Sequence, residues 1–294
     1  MSTSWYEATA RERIDGLIDQ GSFHEFLPPE ARCTSPHLSA LGSPAAFDDG
    51  VVVGRGKLAG KTVLIAAQEG AFMGGAVGEV HGAKITGVME RALIERPAGV
   101  LLLLESGGVR LHEANAGLIA VSEIMRALLD LRAAGIPAIV LDGGRFGVFG
   151  GMGIATRLSS AVVISEEGRL GLSGPEVIET TMGVEEFDAS DKALVWRTVG
   201  GKHRYILGEA TAFVSDDIQA FREKAAALLE PVSPMGLEEI EAEHGFLATR
   251  LERFGSLRDA EEIWTSLGIE PASAIPLLET EAFLEAVAGK RITP

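Results

Sequence analysis

The stretch GVLLLLESGGVRL at residues 99–111 decides the fold, because a short apolar run ends there in a pair of glycines. A continuous apolar run of this length is typical of a strand buried on both faces of a sheet. The arrangement recurs in IPAIVLDGGRFGVFGGMG (136–153), where a second apolar run leads into a second Gly-Gly pair. Backbone N–H groups at such turns can bind an anion, or an oxygen that becomes one during a reaction. We therefore ask whether both turns point at one place.

Helical patterns separate these strands. A long pattern covers roughly residues 78–96 until Pro97, and another runs through 112–135 to Gly135. The alternation of strand, glycine turn and helix predicts an α/β fold. An amphipathic helix is predicted over 4–21, and two paired strands within 48–69. From about residue 184 the chain reads as helical, with a break around 199–217.

The simplest organisation is one domain over residues 1–294, because no fixed repeat or low-complexity linker divides the chain. We expect its core at about 45–230 and a helical C-terminal extension at about 231–294. The apolar segment AIPLLETEAFLEAVAG near the end predicts a surface that a partner or a second copy covers.

Composition excludes several classes of partner. The formal net charge of −16 argues against nucleic acid and against an anionic membrane surface. The single cysteine, Cys33, excludes an internal disulfide and a cysteine-based zinc site. The six histidines do not cluster at ligand spacing, so we expect no metal site. No apolar run approaches the ~18 residues of a membrane helix, and the N-terminus lacks a signal-peptide core. We expect a cytoplasmic protein.

Common catalytic motifs are absent from the sequence. There is no GxxxxGK[ST] phosphate loop, no compact GxGxxG fingerprint, no GxSxG elbow and no HExxH. Ser106, before the first Gly-Gly pair, has no visible base, so we expect it to bond backbone within the turn. The glycine turns themselves remain the best candidates for function.

Several segments together carry a family resemblance. The chain resembles the carboxyltransferase branch of the crotonase superfamily, and within it the β subunits of biotin-independent malonate decarboxylases. The segments that carry it are ARERIDGLIDQGSFHEF (10–26), DDGVVVGRGKLAGKTVLIAAQEGAFMGGAVGE (48–79), ESGGVRLHEA (105–114), GGRFGVFGGMG (143–153), LSGPEVIE (172–179) and, more weakly, VGGKHRYILGEATAFV (199–214). The resemblance implies a crotonase-like superhelix of ββα units.

The resemblance also implies partners and a substrate. Single-chain carboxyltransferases are about twice as long, so a second, similar γ subunit is implied, with a site at the subunit interface. An acyl carrier protein subunit and an acyl carrier protein transferase subunit complete the implied assembly. The substrate would be a malonyl thioester on the phosphopantetheine-like arm of the carrier, with no cofactor bound directly to this chain.

Motif-to-motif matching assigns roles to the glycine turns. Gly108 or Val109 in the first turn and Gly150 or Gly151 in the second would donate backbone N–H groups to the thioester oxygen of an enolate. The residues that the resemblance places around the substrate are Met73, Gly74, Gly75, Gly107, Gly174 and Pro175.

The proton that quenches the enolate has three candidate sources: His112, Glu105 and water. Arg110 is expected to pair with a carboxylate such as Glu113 rather than with substrate.

Two other functional readings stay open. The chain could be a biotin-dependent carboxyltransferase subunit, which uses the same enolate, or a scaffold whose partner holds the active groups. An acidic carrier also needs a basic docking patch on this acidic protein. The densest candidate in the sequence is Lys192, Arg197, Lys202, His203 and Arg204.

Overall fold

The computed structural model describes residues 3–42, 48 and 50–293. A seven-stranded sheet forms its centre, and the strands lie side by side in chain order. The first three strands pair antiparallel and the remaining ones are parallel. They are β1 (His24–Glu25), β2 (Val51–Leu58), β3 (Lys61–Gln68), β4 (Gly99–Leu103), β5 (Ala138–Asp142), β6 (Ala161–Ser165) and β7 (Ala212–Val214).

Helices flank this sheet on both faces and extend it at the C-terminus. They are α1 (Ala10–Leu17), α2 (Pro36–Ala40), α3 (Glu79–Glu95), α4 (Ala116–Ala133), α5 (Gly150–Arg157), α6 (Pro175–Met182), α7 (Lys192–Val199), α8 (Gly201–Ile206), α9 (Ile218–Ala227), α10 (Leu237–Phe254), α11 (Ala260–Ser266) and α12 (Thr280–Val287). Short 3-10 turns occur at Pro29–Ala31, Met73–Gly75, Leu111–Glu113 and Ala272–Leu277.

The central strands are buried on both faces, as their uninterrupted apolar runs predict. Alternate residues of β4 point to opposite sides of the sheet. Val100 and Leu102 join a core with α3 and α4, whereas Leu101 and Leu103 join a second core with α1 and α9. Two cores of this kind fix the register of β4 and so fix where its glycine turn emerges.

Residues of the loops form a second, short ladder. Single parallel bridges link Val77 to Val109, Ser106 to Val148, and Val148 to Leu170. The loops that follow β3, β4, β5 and β6 thus pair with each other beyond the edge of the large sheet. The predicted α/β class is confirmed, and α10, α11 and α12 form the expected helical C-terminal extension.

The N-terminal helix is shorter than the predicted 4–21. Its start is fixed at Ala10 by a capping box, in which Thr9 and Glu12 satisfy each other's backbone N–H groups. The chain before it is held instead by Asp216, which accepts hydrogen bonds from Ser4 and Tyr6. The helix ends at Leu17 because Ile18 is already extended.

The C-terminal segment packs mainly on its own chain. Trp264, Ile275, Phe283 and Val287 are buried in the core on the α3–α4 side of the sheet. The expectation that the apolar segment 274–289 is a surface for a partner is therefore wrong for Ile275, Phe283 and Val287, although Leu277 is exposed. The division into a core and a tail within one domain stays a prediction. Over the described ranges, no helix is both long enough and apolar enough to cross a membrane.

Candidate functional site: two glycine turns in contact

The first glycine turn follows β4 and is held open by backbone hydrogen bonds. The Gly108 carbonyl accepts the Val77 N–H at 2.9 Å, and the Arg110 N–H donates to the Val77 carbonyl at 3.0 Å. Ser106 exchanges long hydrogen bonds of 3.3 Å with Gly108, so its predicted bonding to the turn backbone is confirmed. The Val109 N–H, by contrast, has no acceptor among the described residues.

The second turn follows β5 and opens α5. Gly150 has a φ of +62° and its N–H donates to the Leu172 carbonyl at 2.9 Å. Gly150, one of the two donors predicted for this turn, is therefore already engaged within the chain. The Gly151 N–H lies in the first turn of α5 and meets no acceptor in the part of the chain that the structure describes. Between the two predicted alternatives, the hydrogen bonding favours Gly151.

The two turns touch each other. The Ser106 N–H donates to the Gly147 carbonyl at 2.7 Å, and the Phe149 N–H donates to the Ser106 carbonyl at 2.8 Å. A Cβ added at Gly150 would lie 3.1 Å from the Gly108 Cα. The two glycine turns therefore lie at one place, because they follow the adjacent strands β4 and β5.

The other glycines predicted near the substrate lie beside these turns. The Gly107 N–H donates to the Gly74 carbonyl at 2.9 Å, and a Cβ on Gly75 would meet the Glu105 carbonyl oxygen at 1.9 Å. Only glycine fits at position 75, so the Met73–Gly75 turn packs backbone against backbone on the first turn. The Met73 side chain is half-exposed.

Gly174 and Pro175, also predicted to bind substrate, begin α6 beside the second turn. A Cβ at Gly174 would lie 3.8 Å from the Phe149 ring, and Pro175 is buried. Gly174 therefore lies beside the second turn, whereas Gly74, Gly75 and Gly107 lie at the first. Contact with a substrate stays a prediction for all six.

A buried charged network braces the first turn. Arg110 forms ion pairs with Asp48 and with Glu113, the latter at 3.2 Å, which confirms the predicted Arg110–Glu113 pair. Burial raises the pKa of the Asp48 carboxyl, but the Arg110 hydrogen bond and charge outweigh it and lower that pKa. His81 lies 3.3 Å from Arg110, and burial, followed by the Arg110 charge, lowers its pKa to about 3. The imidazole is therefore neutral.

Glu105 also has a structural partner. One carboxylate oxygen accepts a 2.7 Å hydrogen bond from buried Arg13 on α1, and the other accepts the Phe146 N–H at 3.2 Å. These contacts tie the end of β4 to the N-terminal helix and to the second turn. They argue against Glu105 as the proton donor that the sequence suggested.

His112 lies in the 3-10 turn that follows the first glycine turn. Its side chain is 39% exposed, and Nε2 lies 3.9 Å from a carboxylate oxygen of Glu113. This exposure leaves it accessible to a substrate or to solvent, and its role as a proton donor stays a prediction.

The basic patch expected for carrier docking is wrong at two of its five residues, Lys202 and His203, whereas Lys192 is exposed and Arg204 is half-buried. Lys202 is buried, donates to the Pro276 and Leu278 carbonyls, and pairs with Glu166. His203 is buried beside Trp264, and burial lowers its pKa to about 3, so it carries no charge at neutral pH. Consecutive basic residues form a charged surface only if their side chains point to solvent. In α8 the side chains of Lys202 and His203 point into the protein.

Sequence reasoning missed the buried acid at the end of β5. Both Asp142 carboxylate oxygens are buried without a hydrogen-bond partner among the described residues. Burial raises the pKa of this carboxyl well above its ordinary value. Its position directly before Gly143 and Gly144 was the available signal, since a polar residue ending a buried strand at a turn is unusual.

Comparison with known proteins identifies the family to which this chain is similar. The carboxyl transferase domain model matches residues 6–235. The malonyl-S-ACP:biotin-protein carboxyltransferase of Malonomonas rubra is 40% identical, with 96% of this chain and 94% of that protein covered. An acetyl-coenzyme A carboxylase carboxyl transferase β subunit from Fusobacterium nucleatum is 32% identical over 60% of each chain.

Solved structures confirm the predicted crotonase-like fold of the carboxyltransferase type. A chain of a Pseudomonas malonate decarboxylase hetero-tetramer, solved with malonate, superimposes with a TM-score of 0.77 and 41% identity. That match covers 87% of this chain and 94% of the Pseudomonas one. The transcarboxylase 12S core superimposes with a TM-score of 0.62 and 26% identity, over 75% of this chain and 40% of that one.

Proposed function

This chain belongs to the carboxyl transferase family as a malonate decarboxylase-related subunit, and from that premise we propose that it decarboxylates a malonyl thioester carried by an acyl carrier protein. The bond between the malonyl methylene carbon and the carboxylate breaks, and CO2 leaves. The electron pair stays on the methylene carbon and spreads onto the thioester oxygen as an enolate. A proton then adds to that carbon and gives the acetyl thioester.

Two unengaged backbone donors carry this proposal. The Val109 and Gly151 N–H groups have no acceptor among the described residues, and they belong to turns that touch. Negative charge on a thioester oxygen held there would be stabilised more than the neutral carbonyl, which lowers the barrier. One such donor is worth about 3–4 kcal/mol in enzymes where it has been removed. A backbone donor also keeps its proton at any working pH.

Exposed apolar side chains beside the site indicate that a second subunit binds there. Leu111 follows the first turn and is 87% exposed, and Leu172, whose carbonyl engages Gly150, is 68% exposed. Ile119 on α4 adds to this rim. Apolar groups this exposed around a site are typical of a protein interface. We propose that the second, γ-type carboxyltransferase subunit covers Leu111 and Ile119, as a solved Pseudomonas hetero-dimer pairs two chains.

The remaining partners follow from the substrate. A thioester on a carrier arm requires the acyl carrier protein subunit, and loading that carrier requires the acyl carrier protein transferase subunit. No cofactor need bind this chain, because the arm presents the substrate. A cytoplasmic location belongs to the same proposal.

The runner-up function is transfer of the carboxylate to biotin. The relative from Malonomonas rubra is named for that activity, and its identity with this chain is 40%. Both reactions form the same enolate, so the two N–H donors serve either one. What differs is the fate of the carboxyl group: it leaves as CO2 or moves to a biotinyl nitrogen.

One experiment separates these two functions. The chain is copurified with its partner subunit, and CO2 release from malonyl-carrier thioester is measured with and without avidin. We expect release that avidin does not change. Release that requires a biotinylated carrier and stops with avidin would replace the decarboxylase proposal by the transferase one.

A scaffold role makes a different prediction. If the partner subunit alone held the active groups, substitutions at the two glycine turns of this chain would leave the rate of CO2 release from the complex as it was. We expect instead that Gly150→Ala and Gly151→Pro lower it. Binding of a pantetheine thioester to this chain without its partner is a second test.

A further inference from the structure

A groove lies between α5 and α10, and two residues of β6 also line it. Its volume is about 1170 Å³. Its lining includes Gly171 and Leu172, which follow the second glycine turn, and Ser160 and Arg132. Ile154 of α5 and Ile240 and Leu247 of α10 give it apolar walls, and they are among its exposed apolar side chains.

The charge of this groove is opposite to that of the protein. Its arginines are Arg132, Arg157, Arg204, Arg250 and Arg291, and its acids are Glu209, Glu239 and Glu243. Five positive groups against three negative ones leave a local excess of two positive charges on a chain whose net charge is −16. A concave positive region with apolar walls concentrates the field that an anionic partner meets.

The acids do not use up the arginine donors. The Glu209 carboxylate is shared by Arg204 at 3.0 Å and Arg250 at 2.9 Å. Arg157 gives one hydrogen bond to the Glu209 carbonyl at 2.6 Å and reaches Glu243 at 3.3 Å.

The groove is continuous with the glycine turns. Leu172 is one of its lining residues, and the Leu172 carbonyl accepts the Gly150 N–H. From Gly150 to Arg157, α5 is eight residues long, or about 12 Å at the helical rise. An anionic group at Arg157 would thus lie one short helix away from the proposed oxyanion donors.

We propose that this groove docks the acidic acyl carrier protein that presents the malonyl thioester, and this inference rests on the function proposed above. Charge complementarity selects the occupant, since acyl carrier proteins are acidic and the rest of this chain would repel them. The apolar walls bury the apolar part of the carrier surface while the arginines face its carboxylates. The groove thereby supplies the basic surface that the buried Lys202 and His203 do not.

The test compares two substrates on the complex of this chain with its partner subunit. Malonyl-carrier and malonyl-pantetheine share the reacting thioester, but only the first can dock. Arg157→Gln and Arg250→Gln should each lower kcat/KM for the carrier substrate roughly three- to tenfold more than for the pantetheine substrate, as loss of an interface charge does. Arg157→Lys keeps the positive charge and should retain most of the kcat/KM for the carrier substrate. Added salt should bring the kcat/KM values of the unmodified and glutamine complexes for that substrate closer together.

Two variants act as controls. Arg55→Gln removes an exposed arginine on β2, outside the groove, and should not change the ratio of the two kcat/KM values. Glu243→Gln removes a competing acid from the groove and should raise that ratio.

Direct binding of unloaded carrier to the same complexes gives a readout that does not need turnover. Weaker binding by both glutamine variants and normal binding by Arg55→Gln is the expected result. Unchanged carrier binding, or equal losses with both substrates, would overturn the docking proposal. Absence of CO2 release by the unmodified complex, with carrier binding still dependent on Arg157, would instead refute the proposed function alone.

Discussion

The backbones of Gly150 and Gly108 pack against each other where the two turns touch. A Cβ placed on Gly150 would lie only 3.1 Å from the Gly108 Cα. The turns leave neighbouring parallel strands, since Leu103 of β4 pairs with Leu141 of β5. Parallel strands end at the same edge of a sheet, which is why two similar sequence segments build a single site. Side chains are excluded there, so backbone N–H groups can face a substrate oxygen.

Replacing Gly150 by alanine should damage both stability and activity. The φ of +62° costs a non-glycine residue about 1–2 kcal/mol, and the new methyl group also presses on Gly108. We expect a lower midpoint of thermal unfolding and a large loss of CO2 release. Gly87→Ala on α3 is the matched control, because nothing lies within 4 Å of that position and alanine favours a helix. Equal behaviour of the two variants would contradict the proposed contact between the turns.

Replacing only one partner of the Arg13–Glu105 ion pair should lower the free energy of unfolding substantially. Both side chains are buried, so Arg13→Gln leaves an unpaired carboxylate under the turns, which typically costs about 3–5 kcal/mol. Urea unfolding measures this loss. Arg126→Gln serves as the comparison, because Arg126 pairs with three carboxylates on an exposed surface and its removal should cost far less. A similar midpoint for both variants would show that burial of the pair contributes nothing.

Neutral buried histidines predict a loss of stability in mild acid. The pKa of His203 falls from an ordinary 6.5 to about 3 in the fold. Below pH 6.5 the unfolded chain takes up a proton that the folded chain refuses, so stability falls as pH drops toward 3. Between pH 7 and pH 5 this one group should remove about 2 kcal/mol.

The variant His203→Gln isolates that contribution. Glutamine keeps an acceptor for the Trp264 indole N–H, which lies 3.3 Å from the imidazole, but does not titrate. The free energy of unfolding, measured in urea at pH 7 and pH 5, should change less in the variant than in the unmodified protein. An identical change would mean that His203 is protonated in the folded state.

The sequence predicts the parts of this protein that depend on local pattern. Apolar runs locate β4, β5 and β6, and the Gly-Gly pairs locate both turns, because strand burial and positive φ leave direct marks on residue choice. The Arg110–Glu113 pair could also be predicted, because its partners are only three residues apart in the sequence. The chain's α/β class follows from the alternation of these patterns.

Long-range contacts leave no such mark. Arg13 meets Glu105, and Arg110 meets Asp48, across distances in sequence that only the fold closes. The basic run 202–204 misleads because nothing local reveals that α8 turns Lys202 and His203 inward. The choice between Gly150 and Gly151 likewise depends on the Leu172 carbonyl, which engages one N–H and leaves the other.

The most direct test of the account removes one backbone donor. Gly151→Pro deletes the N–H at the second position of α5, where proline is compatible with a helix, and Gly151→Ala adds a Cβ at the same place but keeps the N–H. The Cβ of either variant would lie 2.6 Å from a methyl group of Val121, so the pair of variants shares that strain.

CO2 release from malonyl-carrier thioester by the complex should therefore be compared between these two variants, with thermal unfolding as the check on folding. We predict that the proline variant is slower than the alanine variant by about 10²–10³ in kcat, the loss typical of one oxyanion donor. Equal rates in two folded variants would contradict the central claim that the Gly151 N–H stabilises the enolate.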